Sequence, residues 1–230
     1  MDRRTLLQAA GALTAAGFLL PDSIALASQP RPPMVTGRAR WFINALRDEG
    51  ASVVEVGDWS RRNRDHKGPW TGDTGVMIHH TASKGTRASV SVCRYGRSDL
   101  PGPLCHGVIA KDGTVYLIGY GRTNHAGLGD SAVLNALKAN RKKLPAPRKW
   151  DTDGNRYFLG FECVNAGTGK DPWPKAQKDA IVRVSAALCR SKEWGANRVI
   201  SHKEWQKGKI DPKGFSMNTL RSQIAKRLAS

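Results

Sequence analysis

Apolar and polar positions alternate with two distinct periods along this chain. Through 38–48, Trp41, Phe42, Ala45 and Leu46 recur at helical spacing, and Gly50 follows as a stop. Residues three and four apart share one helix face, so the spacing predicts an amphipathic helix. Residues 52–56 predict a strand, and 75–80 a buried strand that ends in two histidines. Between them, 58–73 mixes Arg, Gly, Pro and Trp without a period and is expected as a surface loop. A helix is expected over 86–95, and strands over 107–110 and 114–118 close into a hairpin through Lys111-Asp112-Gly113. Residues 131–142 predict a helix ended by Pro145 and Pro147, and 157–164 return to strand character. The longest helix is expected over 175–193, with Ala180, Ile181, Val184, Ala187 and Leu188 on one stripe. A short strand over 198–201 precedes an amphipathic helix over 219–228, with 202 onward opening a polar loop.

Strands alternating with helices, without an internal repeat or linker, predict an α/β fold: one domain with a mixed central β-sheet flanked by helices. The chain has 230 residues, 40% hydrophobic and 24% charged, which is a globular composition large enough for a sizeable core. Residues 1–27 are read separately. Arg3-Arg4 precede the apolar run 9–20, which is too short to span a bilayer, and Ala25-Leu26-Ala27 forms a small-residue cleavage pattern before Ser28. The pattern is read as an export signal peptide that resembles the twin-arginine type, with an ordinary secretory signal as the alternative, and the expected mature protein is secreted or wall-associated without a transmembrane segment. Residues 28–36, rich in proline, are expected as a mobile leader, and 37–230 as the single domain.

Charge narrows the partners. Lys and Arg total 37 and Asp and Glu 19, for a net +18; removing Arg3, Arg4, Asp2 and Asp22 with the signal leaves 35 minus 17, the same value. So cationic a surface favours polyanions, which outside a cell are anionic wall polymers and lipid headgroups. Nucleic acid is not expected as a partner, because only 7% of residues are aromatic and no basic-aromatic motif or finger spacing occurs. A monomer is expected. Of the four cysteines, Cys93 and Cys105 bracket the turn-rich 96–103 and could close a short loop as a disulfide. Cys163 follows Glu162 in a strand and should point to the opposite, core face as a buried thiol.

Five positions carry candidate chemistry, the first of them open between two adjacent histidines. His79 and His80 end a strand, where ligands commonly bind, and alternation sets them on opposite faces without saying which one meets a site. His202 likewise follows a strand. In Lys209-Ile210-Asp211-Pro212, the proline biases Asp211 toward extended backbone, so Lys209 and Asp211 project to the same side. Glu162 interrupts the apolar run Phe158-Leu159-Gly160-Phe161, where a carboxylate costs several kcal/mol to bury unless paired or neutralised. Two imidazoles and one carboxylate are a donor set of hydrolytic zinc sites, which keep a fourth position open.

Taken in order, Val76-Met77-Ile78-His79-His80-Thr81-Ala82, Cys105-His106-Gly107-Val108-Ile109 with Asp112-Gly113-Thr114-Val115, Asn124-His125-Ala126-Gly127, Gly160-Phe161-Glu162, and Ser201-His202 with Lys209-Ile210-Asp211-Pro212 form a recognisable series. The series resembles zinc-dependent N-acetylmuramoyl-L-alanine amidases of the type 2 family, which also includes phage amidase lysozymes and animal peptidoglycan recognition proteins. The resemblance covers roughly 75–212. It implies Zn2+ held by His79, His202 and Asp211, with His80 a non-ligating neighbour, and it makes Glu162 the catalytic carboxylate and Lys209 the catalytic lysine. Asn124 and His125 fall in the motif that lines the substrate groove. The implied substrate is peptidoglycan, cut at the amide between N-acetylmuramic acid and L-alanine. Relatives on this fold that bind peptidoglycan without cutting it lack part of the ligand set, so the complete set here favours catalysis. Two departures stand out. His202 and Asp211 are nine positions apart, one fewer than in similar members, and Cys105 stands where some relatives place a catalytic tyrosine, which shifts the proton work to Glu162.

Overall fold

The computed structural model describes residues 35–230, so the expected signal peptide and all but the last two residues of the expected leader lie outside the described residues. Those two are anchored. Val35 packs against the core, and Thr36 exchanges hydrogen bonds of 3.3 Å with Ser60.

Six strands form the central sheet: β1 (Val53–Glu55), β2 (Gly75–His80), β3 (Gly107–Ile109), β4 (Val115–Leu117), β5 (Phe158–Cys163) and β6 (Val199–Ser201). Their spatial order is β1-β4-β3-β5-β2-β6, and only the β3–β4 hairpin is antiparallel. The mixed α/β sheet read from the sequence is therefore the observed one. The hairpin turns where expected: Gly113 adopts φ +89°, and the Asp112 carboxylate accepts the Thr114 N–H at 2.9 Å. β2 is buried along its whole length because it lies between two covered faces, the usual setting of parallel strands.

Alternation along the strands builds two apolar layers. Val76, Ile78, Leu159, Phe161, Cys163 and Val199 face helices α1 (Gly37–Asp48), α4 (Lys175–Ser191) and α6 (Met217–Leu228). Met77, Phe158 and Ile200 face the other way, onto α3 (Ser131–Lys138) and the one-turn helix α5 (His202–Trp205). α2 (Thr86–Tyr95) covers the remainder of that second face, where Cys93, Leu104, Cys105, Val108, Ile118 and Val164 cluster.

Three local expectations change. Helix α3 ends at Lys138, four residues early, because Asn140 enters the left-handed region at φ 52°. Its N–H bonds Leu137 O at 2.8 Å and that of Arg141 bonds Ala136 O at 2.9 Å, a Schellman stop. The polar loop expected after Ser201 begins as α5, because Ser201 and Glu204 form a reciprocal capping box. Cys93 and Cys105 are free thiols, so the disulfide expected from their spacing is not formed. Both are instead buried in the apolar cluster under α2, with burial raising the Cys105 thiol well above its ordinary value. Cys163 is a fully buried free thiol, turned to the core as its strand parity requires.

Candidate active site

The strand parity that buries Met77, Phe158 and Ile200 on one face carries His79 and His202 onto that same face two residues further on, and Glu162 four residues after Phe158. β5, β2 and β6 are parallel neighbours, and His79 pairs directly with Glu162 across the β2–β5 register. Three chemically active side chains thus meet at the carboxyl ends of adjacent strands, where open α/β sheets place ligands. Asp211 returns to this point through backbone: the Lys203 N–H donates to Asp211 O at 3.0 Å and closes the tight nine-position loop.

His79 Nδ1 lies 3.1 Å from His202 Nδ1 and 2.9 Å from Asp211 Oδ2, and His202 Nδ1 lies 3.1 Å from the same Oδ2. Their outward nitrogens are committed elsewhere. His202 Nε2 donates to Gln206 Oε1 at 3.1 Å, and His79 Nε2 lies 3.0 Å from His125 Nδ1. With both Nε2 atoms protonated toward partners, two bare imidazole nitrogens and a carboxylate oxygen converge on one point. This is a nest of lone pairs that could hold a divalent metal. Burial lowers His79 to about 4, outweighing the opposing pull of Asp211, so the ring is neutral as a ligand must be. For Asp211, burial works to raise the carboxyl, but contacts with His202 and His79 outweigh it and hold the group well below the usual range.

Glu162 Oε2 is shielded from solvent and has no hydrogen-bond partner. Burial, reinforced by the Asp211 charge and opposed by Lys209, pushes its carboxyl up to about 8. A half-buried carboxylate with one shielded, unpartnered oxygen beside a cleft is fit to hold and release a proton near neutral pH. The cleft has a volume of about 430 Å³ and is lined by His79, Glu162, His202, Asp211 and Lys209, with Asn124, His125, Leu100 and Leu104 among its walls. Lys209 is exposed at its edge, free to meet a bound group.

The structure therefore brings His79, His202, Asp211, Glu162 and Lys209 together. His80 stands outside this donor group: its Nδ1 accepts the Lys213 N–H at 3.0 Å, and of the two adjacent histidines it is His79 that meets His202 and Asp211. Asn124 lines the cleft, its amide donating to Pro101 O at 3.2 Å. His125, expected as a groove residue, lies behind His79 with both ring nitrogens engaged, one to His79 and one to Phe158 O at 3.3 Å. Burial holds it well below its ordinary value and neutral. Sequence reading missed Gln206, which meets His202 at helical i+4 spacing; that signal was hidden because the segment was expected as loop. Asn155 was also missed. Its Oδ1 accepts the N–H groups of His125 and Ala126 at 2.9 and 2.8 Å and fixes that turn.

A convergent His-His-Asp donor set beside a proton-holding carboxylate, on a mixed α/β sheet, is a hydrolase-type centre. The chain belongs to the N-acetylmuramoyl-L-alanine amidase family, whose model matches residues 70–214. It is accordingly an enzyme of that class, as the motif series implied. A search of curated proteins by sequence finds no match. Among solved structures, the N-acetylmuramoyl-L-alanine amidase LysC from Clostridium intestinale URNW is 16% identical, covering 75% of this chain and 96% of that one with a TM-score of 0.52. The Ph2119 endolysin from the Thermus scotoductus MAT2119 bacteriophage is 15% identical over 75% of this chain and 98% of that one, with a TM-score of 0.50. The amidase AmiD from E. coli, solved with the substrate anhydro-N-acetylmuramic acid-L-Ala-D-gamma-Glu-L-Lys, is 16% identical over 71% and 61%, also at 0.50. At these identities the likeness is one of fold.

Proposed function

We propose that this chain hydrolyses the amide between N-acetylmuramic acid and L-alanine in peptidoglycan, using zinc held by His79, His202 and Asp211. The observation that carries the reading is the convergence of three bare donor atoms 2.9–3.1 Å apart beside the Glu162 carboxyl, whose Oε2 is shielded and unpartnered. Zinc bonds of about 2.0–2.2 Å in a tetrahedron set ligand atoms roughly 3.3–3.6 Å apart, so the triangle needs only a few tenths of an ångström of opening. When bound, the ion supplies Lewis acidity toward the scissile carbonyl and lowers the pKa of water.

The remaining chemistry belongs to side chains of this chain. Glu162 takes a proton from the attacking water, whose oxygen adds to the lactyl carbonyl carbon. The Lys209 ammonium, at the cleft edge, meets the charge that develops on the carbonyl oxygen. As the carbon–nitrogen bond breaks, the proton on Glu162 passes to the departing nitrogen and leaves L-alanine with a free amine. Export through the twin-arginine-like signal and attachment to anionic wall polymers through exposed Lys and Arg complete the reading. Among the described residues, no helix is long and apolar enough to cross a membrane.

The test is Glu162→Gln in zinc-loaded protein. Release of new amino termini from purified peptidoglycan should fall about a hundredfold or more, the usual scale of acid-base catalysis, while zinc content stays at one per chain. Unchanged release would remove Glu162 from the reaction. Peptidoglycan binding by the parent protein without any release would instead make it a recognition protein.

A further inference from the structure

A carbonyl oxygen can only accept, so the 3.3 Å contact between His125 Nε2 and Phe158 O requires the proton of His125 to sit on Nε2. The other nitrogen of a neutral imidazole is then an acceptor, and it lies 3.0 Å from His79 Nε2. That bond forms only if His79 carries its own proton on Nε2. We propose that His125 is a positioning residue: by accepting the Nε2 proton of His79 it locks the ring's tautomer and orientation, so that bare Nδ1 faces the metal.

The arrangement is built for this contact. A Cβ at position 160 would lie 2.3 Å from His125 Nδ1 and 2.5 Å from its Cγ, so Gly160 on β5 is what lets the ring reach His79 under the strand. The two rings stand edge to face at 88°, with centroids 5.2 Å apart. Asn155 fixes the backbone of His125 from the other side. With both nitrogens used and little of the side chain exposed, His125 has no polar atom to offer a substrate. Hydrogen-bond partners of this kind on metal-ligating histidines typically change metal affinity by about 10–100-fold when removed.

The role rests on zinc binding at His79 but not on the identity of the substrate. Zinc affinity is measured by competition with a coloured chelator in the parent protein, His125→Ala and His125→Gln. The alanine variant should bind zinc about 10–100-fold more weakly. The glutamine variant, whose amide can accept from His79 and donate to Phe158, should recover most of that loss. KM for peptidoglycan fragments in zinc-saturated protein should stay within about twofold for both. In the parent protein, nitrogen-15 spectra should show His125 protonated at Nε2 and bare at Nδ1, which tests the proposal even where a variant does not fold. Zinc affinity within about twofold of the parent in the alanine variant, a raised KM with unchanged zinc affinity, or a His125 protonated at Nδ1 would each overturn it. Absence of amidase activity in the parent, with the zinc pattern intact, would overturn the substrate reading alone.

Discussion

His106 lies fully buried, stacked on Trp70 at 5.3 Å, and its two ring nitrogens hold the backbone of separate segments. Nδ1 accepts the Gly160 N–H at 2.9 Å and Nε2 donates to Gly121 O at 2.9 Å. Burial lowers its pKa to about 4, below the ordinary 6.5, so the folded protein resists protonating it. Its stabilising contribution is complete above pH 6.5 and is lost as pH falls toward about 4. A shift of that size amounts to roughly 3 kcal/mol. Replacing it with Asn, which can still accept from Gly160 but cannot titrate, should flatten the loss; denaturant unfolding at pH 7, 5.5 and 4 measures this, and parallel curves would contradict it. Glu162 was legible as a residue because a carboxylate in an apolar strand has few structural excuses. His125 was legible only as part of a motif. Its partners, His79 and Phe158, lie 46 and 33 positions away and become neighbours only in the fold.

Elements place these residues, and α5 shows how. Trp205 closes that single turn, fully buried, with its Nε1 donating to Ala126 O at 3.1 Å. Its indole lies so close to the backbone that a Cβ at Gly129 would come within 2.1 Å of it, and one at Gly154 within 2.7 Å. Gly129→Ala should therefore push Trp205, and with it His202 at the other end of the turn, out of place. Overpacking of this kind costs about 1–3 kcal/mol. The variant should show a lowered thermal midpoint together with weaker zinc binding, although no ligand is altered; a lowered midpoint with unchanged zinc affinity would show that α5 moves independently of the site. The strands and long helices were readable from apolar spacing alone. α5 and the early end of α3 were not, because a capping box and a left-handed Asn140 are single-residue decisions that periodicity does not register.

At the scale of the whole molecule, charge and chemistry separate. Lys138, Arg141, Lys142, Lys143, Arg148 and Lys149 are all exposed, and no acidic residue falls among 138–149. If this surface attaches the enzyme to anionic walls, replacing Arg141, Lys142 and Lys143 with Glu should weaken retention on intact walls. The loss should be largest at low salt, with little effect on cleavage of small soluble fragments; salt-independent retention would contradict the idea. The fold class was legible because five ordered motifs sit on alternating strands and helices. The free state of Cys93 and Cys105 was not, since sequence spacing carries no information about the packing under α2. The central claim, zinc-dependent hydrolysis at one particular bond, is tested most directly by mass analysis of peptidoglycan digested with the zinc-loaded protein and with protein stripped by a chelator. Expected are free stem peptides beginning with L-alanine and glycan strands whose lactyl groups now end in free carboxylates, both absent after chelation and restored by zinc. Products cut within the glycan or within the stem peptide, or the same products after complete removal of metal, would contradict it.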